Sequence, residues 1–109
     1  MLGEKLRSPL ASAQLIERMW LKRVFQVTLS ETEQHSYNVT YNGRGIGWEG
    51  VYVDGEIATL HSSFFWFVYQ FEFRIGSHSA VIKVRVWPWL AIRSLRFSVE
   101  GKDIYSEGL

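Results

Sequence analysis

The chain has 109 residues and a formal net charge of +1 at pH 7, from twelve Lys and Arg against eleven Asp and Glu. A length near one hundred residues corresponds to one domain, and the balanced charge excludes the strongly basic surface of a protein that follows nucleic-acid phosphates. Cysteine is absent, which excludes disulfides, thiolate zinc sites and cysteine nucleophiles. The sequence therefore predicts one small folded domain without a cofactor.

The first predicted element is a short amphipathic helix over residues 9–21. Ser8 and Pro9 are typical of a helix N-terminus. The apolar residues that recur at helical spacing on one face are Leu15, Ile16, Met19 and Trp20. We therefore expect residues 1–21 to form a helical extension and residues 22–109 to form a separate β-sandwich domain.

Targeting signals are not apparent in the sequence. The first twenty residues contain no apolar run of the length found in signal peptides, so we expect a cytoplasmic location. The longest apolar run, residues 64–69, is too short to cross a bilayer as a helix. We expect no membrane partner.

From Lys22 onward the apolar residues follow a period of two, which is the pattern of β-strands. Residues 25–29 and 37–41 predict the two strands of a hairpin. Asp54-Gly55 predicts a type I′ turn between two further strands, and Pro88 ends a later strand because proline cannot donate to a central ladder. Seven or eight strands without intervening helices predict an all-β fold, either an antiparallel β-sandwich or a small barrel.

The most aromatic segment predicts a strand in the core. Its aromatic residues at period two are Phe65, Phe67, Tyr69, Phe71 and Phe73. A four-residue loop after Ile75 would place Phe73 opposite Ile82 in the core. The same register would place Glu72 opposite Lys83 on the outer face, as an ion pair.

Residues that could carry catalysis are dispersed. The three histidines, His35, His61 and His78, are at least 17 residues apart in the sequence, which favours ordinary surface or turn histidines over a metal site. No serine lies in a nucleophile elbow, and the carboxylates are scattered on predicted outer faces. The sequence therefore predicts a protein that is not an enzyme.

Basic and aromatic side chains give the candidate binding surfaces. Five basic residues could gather on one outer sheet face near Trp87: Arg74, Lys83, Arg85, Arg93 and Arg96. This face is either solvated, a site for a protein or small anion, or a site for single-stranded nucleic acid, and the charge balance disfavours the last.

Trp87-Pro88-Trp89 is the best candidate for an exposed indole. Such an indole could be a sugar platform, the mouth of a cavity for an apolar ligand, or a contact with a second copy of the chain; alternatively, loops bury both tryptophans. The candidate interaction surface consists of Leu15, Met19, Trp20, Arg85, Trp87, Trp89 and Arg96.

From Val24 to Tyr105 the order of motifs resembles the Fas apoptotic inhibitory molecule family. The segments that carry the resemblance are Val27-Thr28-Leu29-Ser30, His35 before Tyr37, Val39 and Tyr41, Gly43, Val51-Tyr52-Val53-Asp54-Gly55, Phe73-Arg74-Ile75-Gly76, Ala80-Val81-Ile82-Lys83-Val84 and Phe97-Ser98-Val99-Glu100-Gly101-Lys102.

The resemblance implies an eight-stranded antiparallel sandwich without catalytic activity that acts through protein contacts. It does not transfer that family's role in survival signalling. This chain departs from the pattern in the segment before Lys22, in the aromatic residues 64–69 and in the apolar residues 87–92. These departures enlarge the apolar surface on which a protein partner, or a second copy of this chain as a homodimer, would dock.

Overall fold

The computed structural model describes residues 11–29, 35–44, 47–63, 69–87 and 91–108. Within these ranges the chain is all-β and forms two antiparallel sheets. The first sheet contains β1 (Ala11–Met19), β2 (Lys22–Leu29), β3 (His35–Asn42), β4 (Gly47–Val53) and β5 (Glu56–Ser63). The second contains β6 (Gln70–Ile75), β7 (His78–Trp87), β8 (Ala91–Val99) and β9 (Lys102–Gly108).

Each sheet is a meander in which every strand pairs with its neighbour in sequence. The two sheets pack face to face through their apolar sides, and β1 lies beside β9 at one margin. The predicted all-β, two-layer antiparallel architecture is confirmed at this level. The described residues contain nine strands, more than the seven or eight predicted, because β1 adds one.

The predicted helix over residues 9–21 is wrong within its described part, where β1 pairs with β2 from Ala11 to Met19. The half-buried residues Ala11 and Ala13 alternate with exposed polar ones, which is a strand pattern. A register shift between Leu15 and Glu17 leaves Ile16 as an extra residue and interrupts this alternation. The bulge therefore gave the apolar residues an apparent helical spacing. Ser8 and Pro9 lie outside the described residues.

Two-residue turns connect many of the strands. Asp54 and Gly55 both have positive φ, 53° and 85°, as the predicted type I′ turn requires. That prediction is confirmed. The β1–β2 turn contains Trp20, with φ of 49°, a conformation that is uncommon for a residue with a side chain.

The predicted register between β6 and β7 is wrong by two residues. The turn contains only Gly76 and Ser77, so Phe73 lies opposite Ala80 and not opposite Ile82. A shift of two keeps each side chain on its predicted face, and Phe71 and Phe73 are buried as expected. The predicted pairing of Glu72 with Lys83 is lost, because Val81 lies opposite Glu72.

The core lies between the two sheets and centres on aromatic side chains. The ring of Phe25 packs edge-to-face on Phe97 from the opposite sheet, with centroids 5.2 Å apart. Phe97 also contacts Phe73, with centroids 6.0 Å apart. Tyr69, predicted to lie in the core, is 65% exposed. Phe65 and Phe67 lie outside the described residues.

A polar bridge joins the two sheets where β2 and β9 face each other. The buried Arg23 guanidinium donates through Nε and Nη2 to the two carboxylate oxygens of Glu107, at 3.0 and 3.1 Å. Arg23 also donates to the carbonyl oxygens of Trp20 and Lys22. The Tyr105 hydroxyl donates to Glu107 at 2.8 Å. This bridge fixes the end of β9, on which the candidate site depends.

Candidate functional site: a cationic groove

The outer face of the second sheet brings basic side chains together across neighbouring strands. Lys83 on β7 lies directly opposite Arg96 on β8, and Arg85 lies opposite Ser94. All three basic side chains are exposed. Like charges at directly opposed positions destabilise an antiparallel pair, so this arrangement does not serve the stability of the sheet.

Small residues form the floor of a concavity between these long side chains. Ser94, Ser106 and Gly108 line it together with Lys83 and Arg85, and it encloses about 570 Å³. This volume falls within the range of ligand pockets, roughly 300–1,000 Å³. We call it the cationic groove; its lining residues are Tyr69, Lys83, Val84, Arg85, Arg93, Ser94, Leu95, Arg96, Ser106, Glu107 and Gly108.

Gly108 is required for the shape of this floor. Its φ is +71°, and a Cβ atom there would collide with the carbonyl oxygen of Arg93. The glycine lets β9 lie close against β8 at the point where the β7–β8 pairing is irregular, between Arg85 and Val86. A side chain at position 108 would separate the strands.

Aromatic side chains flank the groove. The guanidinium carbon of Arg93 lies 4.9 Å from the centroid of the Trp87 ring, a cation–π contact. Tyr69, also in the lining, is exposed. The contact holds the Arg93 side chain beside the groove while its charge is retained.

The carboxylates near the groove are already engaged. Asp103 lies 3.5 Å from Arg96, and both side chains are exposed, so this ion pair is weak. Burial alone raises the pKa of Glu107, but hydrogen bonds from Arg23 and Tyr105, with the nearby charges of Arg23 and Arg18, outweigh burial and hold that pKa below its usual value. The four basic side chains that line the groove therefore carry net positive charge.

The structure brings together some of the predicted interaction residues and separates others. Arg85 and Arg96 line the groove, and Trp87 contacts it through Arg93. Leu15 packs against the core. The remaining three are Met19 and Trp20, which are exposed at the β1–β2 turn of the other sheet, and Trp89, which lies outside the described residues.

The sequence predicted that basic residues share one outer sheet face, but it did not predict the groove between them. The sequence does contain a signal for the groove. Small residues, Ser94, Ser106 and Gly108, occur in the last two strands among longer side chains. The signal was unreadable without the strand pairing, because Ser94 and Gly108 become neighbours only in the β8–β9 register.

Two buried polar residues lie elsewhere, between the sheets. Glu49 is fully buried and accepts a hydrogen bond from the backbone N–H of Arg44, at 3.1 Å. Tyr41 is also fully buried, and its hydroxyl has no hydrogen-bond partner among the described residues. Burial, and then the charge of Glu49, raises the pKa of Tyr41. Neither side chain is accessible to a ligand.

Two of the three histidines, His61 and His78, lie on different sheets, and the side chain of His35 lies outside the described part of the chain. His61 is on the first sheet, with its ring centroid 5.5 Å from that of Phe71. His78 is on the second sheet, 3.5 Å from the carboxylate of Glu100. The described ranges contain no group of three or more His, Asp or Glu side chains that could hold a metal ion.

Comparison with known proteins identifies no relative: no family model, no curated protein and no solved structure matches this chain. None of the described residues forms a helix able to span a bilayer. The geometry of the groove is therefore the evidence from which a function is inferred.

Proposed function

We propose that this chain is a non-catalytic binding domain whose cationic groove takes an acidic segment of a partner protein. The observation that carries this proposal is the placement of Lys83 directly opposite Arg96, in a concavity that also holds Arg85 and Arg93. Opposed like charges are unfavourable in the free protein, and a bound carboxylate would relieve that repulsion.

The chemistry of the side chains suits carboxylates. Arginine presents a planar fork of donors that binds a carboxylate through two hydrogen bonds, and three of the four basic residues are arginines. Ser94 and Ser106 in the floor can donate or accept further hydrogen bonds. An extended segment with Asp or Glu at alternate positions would present its carboxylates along the groove.

A protein segment fits better than a nucleic acid. The formal net charge of the whole chain is only +1, whereas proteins that follow phosphates gain most of their affinity from many basic contacts.

A matched pair of charge reversals tests this proposal. Arg85→Glu reverses a charge in the groove, and Arg74→Glu makes the same change at an exposed position of the same sheet outside it. Binding of a fluorescein-labelled hexaglutamate peptide is measured by anisotropy at low and at physiological salt. We expect Arg85→Glu to weaken binding about tenfold or more at low salt, and Arg74→Glu to weaken it by less than about threefold.

Equal weakening by the two variants would show that only overall charge matters, and no measurable binding by the unmodified protein would also refute the proposal. A hexalysine peptide of equal length is the control ligand, and we expect it not to bind. Circular dichroism establishes that both variants fold. The exposure of both arginines makes a folding defect unexpected.

A further inference from the structure

The outer face of the first sheet differs chemically from the groove face, because its centre carries no charge. Glu17 and Lys22, an ion pair at 3.8 Å, mark one corner beside the β1–β2 turn. Between that corner and the opposite turns, the outward positions of the five strands hold amides, hydroxyls and apolar groups. These residues are Ser12, Gln14, Val24, Gln26, Thr28, Ser36, Asn38, Thr40, Asn42, Trp48, Gly50, Tyr52, Ile57, Leu60 and Ser62.

The polar side chains on this face form rows across the strands. Gln14 lies opposite Gln26, and Gln26 lies opposite Asn38, so three amides follow one another across β1, β2 and β3. In the next row Thr28 lies opposite Ser36, with their hydroxyl oxygens 3.4 Å apart. Amides and hydroxyls both donate and accept hydrogen bonds without carrying charge.

An apolar strip runs beside these rows, along β4 and β5. Trp48 is 60% exposed, and Tyr52 stands on the same side of β4, four residues further and about 13 Å away at the rise of a strand. Gly50 between them has no side chain, and Leu60 leans over it: a Cβ atom on Gly50 would lie 2.8 Å from the Leu60 Cδ1 atom. Ile57, opposite Tyr52, is 62% exposed.

Polar side chains border this strip directly. Asn42 lies opposite Gly50, and Thr40 lies opposite Tyr52, so an amide and a hydroxyl stand next to the space between the two rings. Asn42 and Thr40 therefore place uncharged donors and acceptors along the apolar strip. Covering exposed aromatic and aliphatic side chains removes apolar surface from water, which is favourable.

We propose that this face binds a neutral oligosaccharide, with pyranose rings lying on Trp48 and Tyr52 and their hydroxyl groups bonded to Asn42 and Thr40. The ligand class follows from complementarity. A sugar ring has an apolar C–H face, which matches the aromatic rings of the apolar strip, and an edge of uncharged hydroxyls, which match the amide and hydroxyl beside it. The absence of charge at the centre of the face disfavours an ionic ligand, which would lose its hydration without gaining an ion pair. This site is separate from the cationic groove and independent of it.

The sequence alone placed a possible sugar platform at Trp87 and Trp89. The structure supplies a better surface at Trp48, because Trp87 contacts the charged Arg93 whereas Trp48 lies opposite the uncharged Ser62 on β5. The charge nearest to the proposed contacts is Lys22, which lies opposite Asn42 and is paired with Glu17. Trp48 and Trp87, both exposed, therefore provide a matched pair for the test.

The experiment uses the full chain and three neutral oligosaccharides: cellohexaose, maltohexaose and mannohexaose. Binding is followed by two-dimensional ¹H–¹⁵N NMR spectra and by tryptophan fluorescence. We expect at least one of the three to shift the resonances of Trp48, Tyr52 and Asn42, and Trp48→Ala to weaken that binding at least tenfold. Trp87→Ala is expected to bind as the unmodified protein does, and Asn42→Ala to bind less tightly.

Three results would overturn the proposal. The first is the absence of a response to any of the three oligosaccharides. The second is equal binding by Trp48→Ala and the unmodified protein, both shown to be folded by their NMR spectra. The third is a dimer, detected by light scattering, that Trp48→Ala dissociates, since this would show that a second copy of the chain covers the face. None of these results bears on peptide binding in the groove.

Discussion

Replacing Glu107 with glutamine removes the charge from the bridge between the sheets while preserving the size of the side chain. In the unmodified protein Arg23 is 5% exposed and makes two hydrogen bonds to the Glu107 carboxylate. Removing one partner of a buried ion pair costs roughly 3–5 kcal/mol, because the remaining charge stays buried without compensation. Arg23 keeps its bonds to the carbonyls of Trp20 and Lys22. We therefore expect a loss near the lower end of that range, about 3 kcal/mol.

The matched control is Arg18→Gln. Arg18 also approaches Glu107, at 4.0 Å, but its side chain is 57% exposed. Exposed ion pairs contribute about 0–1 kcal/mol because water and salt screen them, so this variant should lose less than about 1 kcal/mol. Urea unfolding, followed by tryptophan fluorescence, gives the free energy of unfolding for each protein.

The difference in the free energy of unfolding between the unmodified protein and Glu107→Gln should decrease as the pH falls. The pKa of Glu107 lies below its usual value in the folded protein, so the ionised carboxylate stabilises the fold above the unfolded-state pKa of about 4.3 and loses this effect as pH falls through the folded value. The gap between the unmodified protein and Glu107→Gln should therefore be full at pH 7 and smaller at pH 3. A loss below 1 kcal/mol at pH 7, or a gap that grows in acid, would refute the reasoning.

Two further substitutions test the core by the same unfolding assay. Phe97→Ala removes a fully buried ring that contacts Phe25 and Phe73, and should cost about 3–5 kcal/mol; a cost below 1.5 kcal/mol would contradict the central role of this ring. Tyr41→Phe removes a buried hydroxyl that has no hydrogen-bond partner among the described residues, and should leave stability unchanged or raise it by up to about 1 kcal/mol. A clear loss of stability would instead reveal a bond to that hydroxyl in solution.

Much of the fold could be predicted from the sequence, because period-two alternation and turn residues are local signals. Asp54-Gly55 indicated its turn because a type I′ turn needs positive φ at both central residues, which Asp and Gly tolerate. β1 was missed because the extra residue Ile16 breaks the alternation in a strand whose other inward side chains are mostly small. The β6–β7 register was missed because a shift of two residues preserves both faces, so the side-chain pattern cannot distinguish loop lengths of two and four.

The candidate sites were less predictable, because they depend on pairing between strands. The sequence indicated that Arg85 and Arg96 could share a face with Trp87. It could not indicate that Lys83 and Arg96 are directly opposed, since that pairing depends on the register of β7 with β8, which shifts between Arg85 and Val86. The sequence does not indicate the uncharged face around Trp48, because its amides and hydroxyls come from several strands and become neighbours only through strand pairing.

The meander order of both sheets has a consequence for how the chain folds. Every hydrogen-bonded pair of strands is adjacent in sequence, so little loop-closure entropy opposes the formation of either sheet. The bond between Arg23 and Glu107 joins residues 84 positions apart and can form only when both layers are in place. Formation of this bond therefore marks the completion of the native state. Because each sheet forms by local pairing, we expect this chain to fold fast for an all-β protein.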